Sequence, residues 1–296
     1  APPGERLHWP TPASAWRSNQ LYLAHAALTD VGGRRHHQAE RMLRPVRGLA
    51  GAQWRGEAMA LHLSDWRITI GARGHQLVAD TGDFSLTLDL VPLKSPVLHG
   101  DGGYSRKGTA PERASCYYSF TRLKASGDIR VARTHHKVTG SAWMDHEFST
   151  APLEPGLIGW DWFSIQLNDG TEVMIYLLRQ ADGSRHPASS GTFVTASGET
   201  RHLSIDDIHM TPLKHWKSPG SNGRYPIAWR LAIAALDVKL NLSAVLADQE
   251  MRTQGSTGVT YWEGSLVIDG IRRGEPVDGV GYGELTGYAE TFDAPM

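Results

Sequence analysis

The densest group of acidic, histidine and aromatic residues lies between positions 138 and 167. It contains Trp143, Asp145 and Glu147, followed by Trp160 and Trp162. A carboxyl group in an apolar aromatic pocket has a raised pKa and can act as a general acid, and indole faces stabilise a developing cation. These residue types point to proton transfer onto an apolar substrate. A structural role for Asp145 at a strand end is the alternative, because carboxyls are also perturbed in structural networks.

Two strands must position these side chains. Alternation over residues 141–148 places Trp143, Asp145 and Glu147 on one face and His146 on the other. In the next strand, Phe163 belongs to the better core face. The other face mixes large aromatic and polar groups, as a binding cavity does, and consists of Trp160, Trp162, Ser164 and Gln166.

Most of the remaining chain is typical of short antiparallel strands. The 32 glycines and frequent Pro, Asp and Asn separate runs of alternating residues, of which 236–246 is the clearest. Residues 38–49 form the best helical pattern, and it is weak. The sequence therefore predicts an all-β protein with few helices, built as a sandwich or barrel.

A weak internal repeat indicates two similar units. Val138–Asp145 and Val277–Glu284 share the pattern Val-x-Gly-x-small-aromatic-x-acid, about 140 residues apart, near the commonest domain size. Aromatic pairs precede both copies, at Tyr117-Tyr118 and Tyr261-Trp262. We predict tandem β-barrels over residues 1–150 and 159–296, joined by a linker. Whether Asp145 and Glu284 face one cavity or two is open at this stage.

Composition disfavours several classes of function. The formal net charge of −1 gives no electrostatic reason to expect a nucleic-acid partner. Cys116 is the single cysteine, so no intrachain disulfide can form, and its apolar surroundings predict a core position. No apolar run reaches the roughly 18 residues of a membrane span, so we expect no integral membrane protein.

Cofactor and metal signatures are also missing from the sequence. No glycine-rich nucleotide loop opens a helix, and no serine-hydrolase elbow is present. Strand alternation points His146 away from Asp145 and Glu147, which disfavours a shared metal ion. We therefore expect neither a cofactor nor a metal.

Several blocks, in order from about Trp16 to Tyr288, resemble the AttH-like family, which is related to the carotenoid 1,2-hydratases (hydroxyneurosporene synthases). The blocks that carry the resemblance are Tyr22-Leu-Ala-His25, Gly100-Asp-Gly-Gly-Tyr-Ser-Arg-Lys-Gly108, Ser115-Cys-Tyr-Tyr-Ser119, Trp143-Met-Asp-His-Glu147, Gly159-Trp-Asp-Trp-Phe163, Gln166-Leu-Asn-Asp-Gly170, Asp248-Gln-Glu250, Tyr261-Trp-Glu-Gly264 and Gly281-Tyr-Gly-Glu-Leu-Thr-Gly-Tyr288.

The resemblance implies two lipocalin-like barrels, a bacterial periplasmic or secreted setting and, for the hydratase branch, an apolar substrate. An Asp is the acid expected in that branch, and Asp145 is the position that fits best. Family members usually begin with a further Glu-Trp-Trp-Tyr block that this chain lacks. We therefore expect the first barrel to lack its usual first segment.

Three functions fit these observations. The first is a hydro-lyase that adds water to a C=C bond of an isoprenoid-like or carotenoid-like substrate, with Asp145 as the acid and Glu147 orienting water or taking its proton. The second is a non-catalytic carrier of an apolar ligand in the cell envelope, with a transport system as a partner, as the family name implies. The third is an isomerase or cyclase on a polyene or polyketide. Substrate-binding residues are predicted at Tyr22, His25, Tyr117, Trp143, Trp160, Trp162, Gln166, Tyr261, Glu263, Tyr282 and Glu284.

Overall fold

The computed structural model describes residues 20–45, 48–149 and 153–290. Almost all regular structure in these ranges is antiparallel β-strand, arranged in three sheets. Two short 3₁₀-helices, Ile205–Asp207 and Ala234–Leu236, are the only helical elements of the described chain. The all-β class predicted from the sequence is confirmed.

A two-stranded hairpin forms the first sheet. Strand β1 (Tyr22–Asp30) pairs in continuous register with β2 (Arg35–Leu43). The helical pattern predicted over 38–49 is therefore wrong, because β2 occupies its first half. Its Arg, Glu, Met and Leu residues have good helix propensity, but pairing with β1 overrides that weak preference.

The second sheet has nine strands in the first half of the chain. They are β3 (Ala50–Arg55), β4 (Ala58–Leu63), β5 (Trp66–Gly71), β6 (Gly74–Asp80), β7 (Phe84–Pro92), β8 (Val97–Leu98), β9 (Tyr104–Arg106), β10 (Ala114–Val131) and β11 (Thr134–Phe148). Their order is β11-β10-β7-β6-β5-β4-β3, with β8 and β9 also paired to β10. The sheet is open, and a small cluster around Leu90, Leu123 and Ala125 forms its core.

The third sheet has ten strands in the second half of the chain. They are β12 (Leu157–Leu167), β13 (Glu172–Gln180), β14 (Ser190–Val194), β15 (Thr200–Ser204), β16 (His209–Lys217), β17 (Arg224–Ile233), β18 (Val238–Ala244), β19 (Glu250–Arg252), β20 (Thr260–Arg272) and β21 (Glu275–Leu285). Their order is β15-β14-β13-β12-β21-β20-β18-β17-β16, with β19 on β20. Trp229 and Trp262, fully buried, belong to its large core.

Strand β12 is buried on both faces, which sets up the site. Phe163 and Ile165 point into the core of the ten-stranded sheet. Trp160 and Trp162 point the other way and pack with Tyr117 of the nine-stranded sheet. The alternation read from the sequence thus places the indoles between the two large sheets.

A buried acid links the two large sheets. Glu172 of β13 is fully buried, and its carboxylate pairs with Lys94 at 2.7 Å and with the guanidinium of Arg122. Beside it, the Gln166 amide donates to the carbonyl oxygens of Thr121 at 2.7 Å and Ala142 at 3.0 Å. These contacts tie β12 and β13 to β10 and β11.

Two further sequence expectations concern the same region. Cys116 is exposed rather than in the core, because alternation along β10 turns it away from the face that buries Tyr117. The domain boundary predicted between 149 and 159 stays a prediction. Strand β11 ends at Phe148 and β12 begins at Leu157, and residues 150–152 lie outside the described ranges.

Candidate functional site

A cavity of about 1050 Å³ lies between the two large sheets. Strands β10 and β11 provide one side, and β12, β13, β20 and β21 provide the other. Asp145 and Glu284 therefore line one shared cavity. Ten residues predicted from the sequence line it, namely Tyr117, Trp143, Asp145, Glu147, Trp160, Trp162, Gln166, Glu263, Tyr282 and Glu284.

Three predicted residues, Tyr22, His25 and Tyr261, do not line this cavity. Tyr22 and His25 lie on β1, in the separate hairpin. The Nδ1 atom of His25 lies 2.7 Å from the Tyr261 hydroxyl, and its Nε2 atom lies 2.9 Å from the Ser256 hydroxyl. These contacts dock the hairpin onto the ten-stranded sheet, so the structure gives His25 and Tyr261 a positioning role there.

Hydrogen bonds and burial have opposite effects on the pKa of Asp145. Its Oδ1 atom accepts hydrogen bonds from the Ser119 hydroxyl and, at 2.8 Å, from the Trp143 indole. Asp145 is exposed by accessible surface, at the wall of the cavity that it lines. Protein atoms crowd the carboxyl on its other sides and remove part of its hydration. Burial raises the pKa of Asp145 to about 6, with a smaller upward contribution from the charge of Glu147 and downward contributions from its hydrogen bonds. The group can therefore hold and release a proton near neutral pH.

A buried polar chain supports Asp145 from behind. Ser119 lies 2.7 Å from Nε2 of His99, and Nδ1 of His99 lies 2.9 Å from the hydroxyl of Thr192 on the other sheet. His99 is fully buried, and burial lowers its pKa to about 3, so its ring is neutral. Since both ring nitrogens have partners, His99 fixes the position of the Ser119 hydroxyl.

Sequence reasoning missed Ser119 and His99 as partners of Asp145. Alternation, which puts Ser119 on the same face as Tyr117, was the signal available for Ser119. His99 follows β8 outside any long strand, and no spacing in the sequence connects it with Asp145.

Glu147 is paired at the edge of the cavity. Its Oε1 atom lies 2.9 Å from Nζ of Lys107 and accepts from the Ser115 hydroxyl. The Lys107 ammonium also lies 3.7 Å from the centre of the Tyr176 ring. Lys107, another residue that sequence reasoning missed, thus neutralises Glu147. The role of Glu147 in orienting water stays a prediction.

Aromatic rings form the wall nearest Asp145. Trp143 and Trp162 meet edge to face, with ring centres 6.3 Å apart. The Trp162 indole donates to the Tyr117 hydroxyl at 2.9 Å. These contacts hold the Trp162 indole in place against Trp143. An aromatic wall of this kind stabilises positive charge on a ligand.

A second acidic group lies on β20 and β21. Glu263 and Glu284 are directly opposite each other in the antiparallel register. Glu284 accepts from the Trp160 indole at 3.0 Å and from Thr286 at 3.3 Å. Burial and then the charge of Glu284 raise the pKa of Glu263 to about 8, and burial is the largest cause of a raised pKa for Glu284. The pair therefore retains a proton at neutral pH.

The described ranges contain no group of three His, Cys, Asp or Glu side chains that could hold a metal ion. In the same ranges, no helix is long and apolar enough to cross a membrane.

Comparison with known proteins fits this architecture. The AttH-like family model matches residues 3–288. The crystal structure of an AttH protein from Nitrosomonas europaea is 34% identical with a TM-score of 0.83, covering 93% of this chain and 84% of that chain. Kievitone hydratase from Nectria haematococca has the same fold, with a TM-score of 0.70 and 17% sequence identity. The match covers 90% of this chain and 80% of that chain. No curated protein sequence matches. The lipocalin-like fold that the family resemblance implied is confirmed, and the chain belongs to the AttH-like family.

Proposed function

We propose that this protein is a hydro-lyase that adds water to a C=C bond of a lipophilic substrate, with Asp145 as the acid. The observation that carries the proposal is the position of Asp145 in an aromatic cavity, where burial raises its pKa to about 6. An acid of this strength is still partly protonated near neutral pH, whereas an ordinary Asp is not.

The chemistry needs three events in the cavity. The protonated Asp145 carboxyl transfers its proton to one alkene carbon, so the π electrons form the new C–H bond and leave a cation on the other carbon. The oxygen of a water molecule then forms the C–O bond. The extra proton of that oxygen passes to the Asp145 carboxylate, which restores the acid, and the net change is the addition of one water.

The surroundings of Asp145 favour each event. Trp143 and Trp162 present aromatic rings that stabilise the cation. Once the proton has left, Ser119 and Trp143 hydrogen-bond the carboxylate. The shared fold with a protein named as a hydratase also supports this reaction class. An isoprenoid-like substrate and a periplasmic or secreted location belong to this proposal as well.

The proposal is tested by mass spectrometry of isoprenoid alkenes, both hydrocarbons and alcohols, incubated with the protein in heavy-oxygen water. We expect the wild type to incorporate heavy oxygen and Asp145→Asn to incorporate none. Asp128→Asn, a matched change at an exposed ion pair with Lys137, should behave as the wild type.

Failure of the wild type to incorporate oxygen from any of these compounds would contradict the hydratase proposal and favour the carrier hypothesis. Thermal unfolding of Asp145→Asn is the necessary control. If this variant unfolds, Asp145 is structural rather than catalytic.

A further inference from the structure

The face of the cavity formed by β20 and β21 carries a compact polar patch of three side chains. Glu263 lies opposite Glu284, and Tyr282 lies two residues before Glu284 on the same face of β21. All three line the cavity that Asp145 also lines. We name these residues, Glu263, Tyr282 and Glu284, the distal patch.

Two groups of the distal patch have no partner. Glu284 is satisfied by Trp160 and Thr286. The Glu263 carboxyl and the Tyr282 hydroxyl form no hydrogen bond with any residue that the structure describes. Both side chains are half-buried and line the cavity. Two polar groups without a protein partner on one wall of a cavity can hydrogen-bond a polar atom of a ligand there.

Charge decides which polar atom fits. No Lys, Arg or His among the described residues neutralises either carboxyl of the patch, so a carboxylate or phosphate ligand would be repelled. Burial keeps Glu263 protonated at neutral pH, which makes it a donor, while Glu284 remains an acceptor and the Tyr282 hydroxyl can be either. A hydroxyl group, which donates and accepts at once, matches this set. A pure hydrocarbon would leave Glu263 and Tyr282 dehydrated and unpaired.

We propose that Glu263, Tyr282 and Glu284 form a subsite for a hydroxyl group of the ligand, so that the substrate is an unsaturated alcohol or phenol rather than a hydrocarbon. This deepens the proposed function, on which its catalytic meaning rests. The apolar part of the ligand lies along Trp162, and its double bond lies at Asp145.

The test is a binding measurement that needs no turnover. Tryptophan fluorescence reports the affinity of the full chain for geraniol and for the hydrocarbon of the same skeleton that lacks the hydroxyl. We expect geraniol to bind about tenfold more tightly, the effect of one or two net hydrogen bonds.

Two variants of the patch and one matched control show whether the patch causes the preference for geraniol over the hydrocarbon. Tyr282→Phe and Glu263→Met should each reduce the preference for geraniol while leaving the hydrocarbon affinity nearly unchanged. Asp145→Asn, on the other hairpin that lines the cavity, should keep the full preference. Circular dichroism confirms that each variant is folded.

Equal affinity of the wild type for the two probes would overturn the subsite. So would an unchanged preference in both Tyr282→Phe and Glu263→Met, or tighter binding of geranylamine than of geraniol, which would indicate a cation site. These outcomes are distinct from failure of the hydratase proposal, because heavy-oxygen incorporation and binding are measured separately. A preserved preference without turnover would leave the subsite standing in a carrier.

Discussion

The hairpins β10–β11 and β20–β21 share one sequence pattern, and both line the same cavity. In each copy the second strand carries an acid near its end, Asp145 or Glu284. The residue directly across differs, because Asp145 lies opposite Ser119 whereas Glu284 lies opposite Glu263.

Burial is the largest cause of the raised pKa of both Asp145 and Glu263, and the cross-strand neighbour of each then modifies it. A hydroxyl opposite Asp145 donates to its carboxylate and limits the rise in its pKa, which remains about 6. In the other copy, burial and then the charge of Glu284 keep a proton on Glu263, whose pKa is about 8. We therefore assign proton transfer to the first hairpin and ligand binding to the second.

The largest expected effect is on turnover. Asp145→Asn should lower kcat by about 100- to 10,000-fold, the usual contribution of general acid–base catalysis. Glu284→Gln keeps the shape and an acceptor oxygen, so it should raise KM with a much smaller change in kcat. Steady-state kinetics of product formation measure both. Equal losses of kcat in the two variants would show that the hairpins do not differ in role.

A smaller effect is expected at Glu172, whose ion pairs with Lys94 and Arg122 tie β13 to the first half of the chain. Glu172→Gln leaves Lys94 and Arg122 without a buried counter-charge, and we expect it to lower the free energy of unfolding by about 3–5 kcal/mol. Exposed Glu199→Gln is the matched control and should change it little. Urea denaturation followed by tryptophan fluorescence measures both. A loss as small as that of the control would mean that this ion cluster does not hold the sheets together.

Glu263→Gln should stabilise the protein. Removing an ionisable carboxyl that has no partner should raise the free energy of unfolding by about 1–3 kcal/mol at pH 8. Because the folded-state pKa of Glu263 is raised above its unfolded value, its unfavourable contribution grows as pH rises from the unfolded pKa to about 8.

The pKa of Asp145 is raised only to about 6, so its unfavourable contribution to the free energy of unfolding stops growing near pH 6. Thermal melts between pH 6 and 8 should therefore show the gain from Glu263→Gln still increasing and that from Asp145→Asn constant. Parallel curves for the two variants would contradict the assignment.

The smallest expected effect is the influence of Ser119. Ser119→Ala removes a donor to the Asp145 carboxylate and should raise the pKa of Asp145 above about 6. The midpoint of the pH dependence of kcat should therefore shift to a higher pH. Ser265→Ala, also at the cavity, is the control and should leave it in place. An unchanged pH profile in Ser119→Ala would show that the Ser119 hydrogen bond does not set the pKa of Asp145.

Local alternation made much of this arrangement predictable from the sequence. It placed Trp143, Asp145 and Glu147 on one face of β11 and turned Phe163 away from Trp162. Such inferences succeed because side chains of a strand alternate strictly between its two faces. The division into two related units, which the repeat indicated, stays a prediction.

Long-range partners were not predictable in the same way. Nothing in the sequence states that Ser119 lies across from Asp145, that His99 packs behind it, or that Lys107 pairs with Glu147. These contacts depend on register and on how the sheets meet. Tyr261 shows the same limit, since its aromatic block suggested a binding residue, whereas its hydroxyl contacts His25 of the hairpin.

A carbon-13 carboxyl NMR titration of the wild type, assigned with Asp145→Asn and Glu263→Gln, measures directly whether the two carboxyls have different pKa values. It requires no substrate. We expect two separate titrations, one near pH 6 that disappears in Asp145→Asn and one near pH 8 that disappears in Glu263→Gln. If both carboxyls titrate together near pH 4, as exposed carboxyls do, the cavity does not hold two differently tuned acids and the division between the hairpins is wrong.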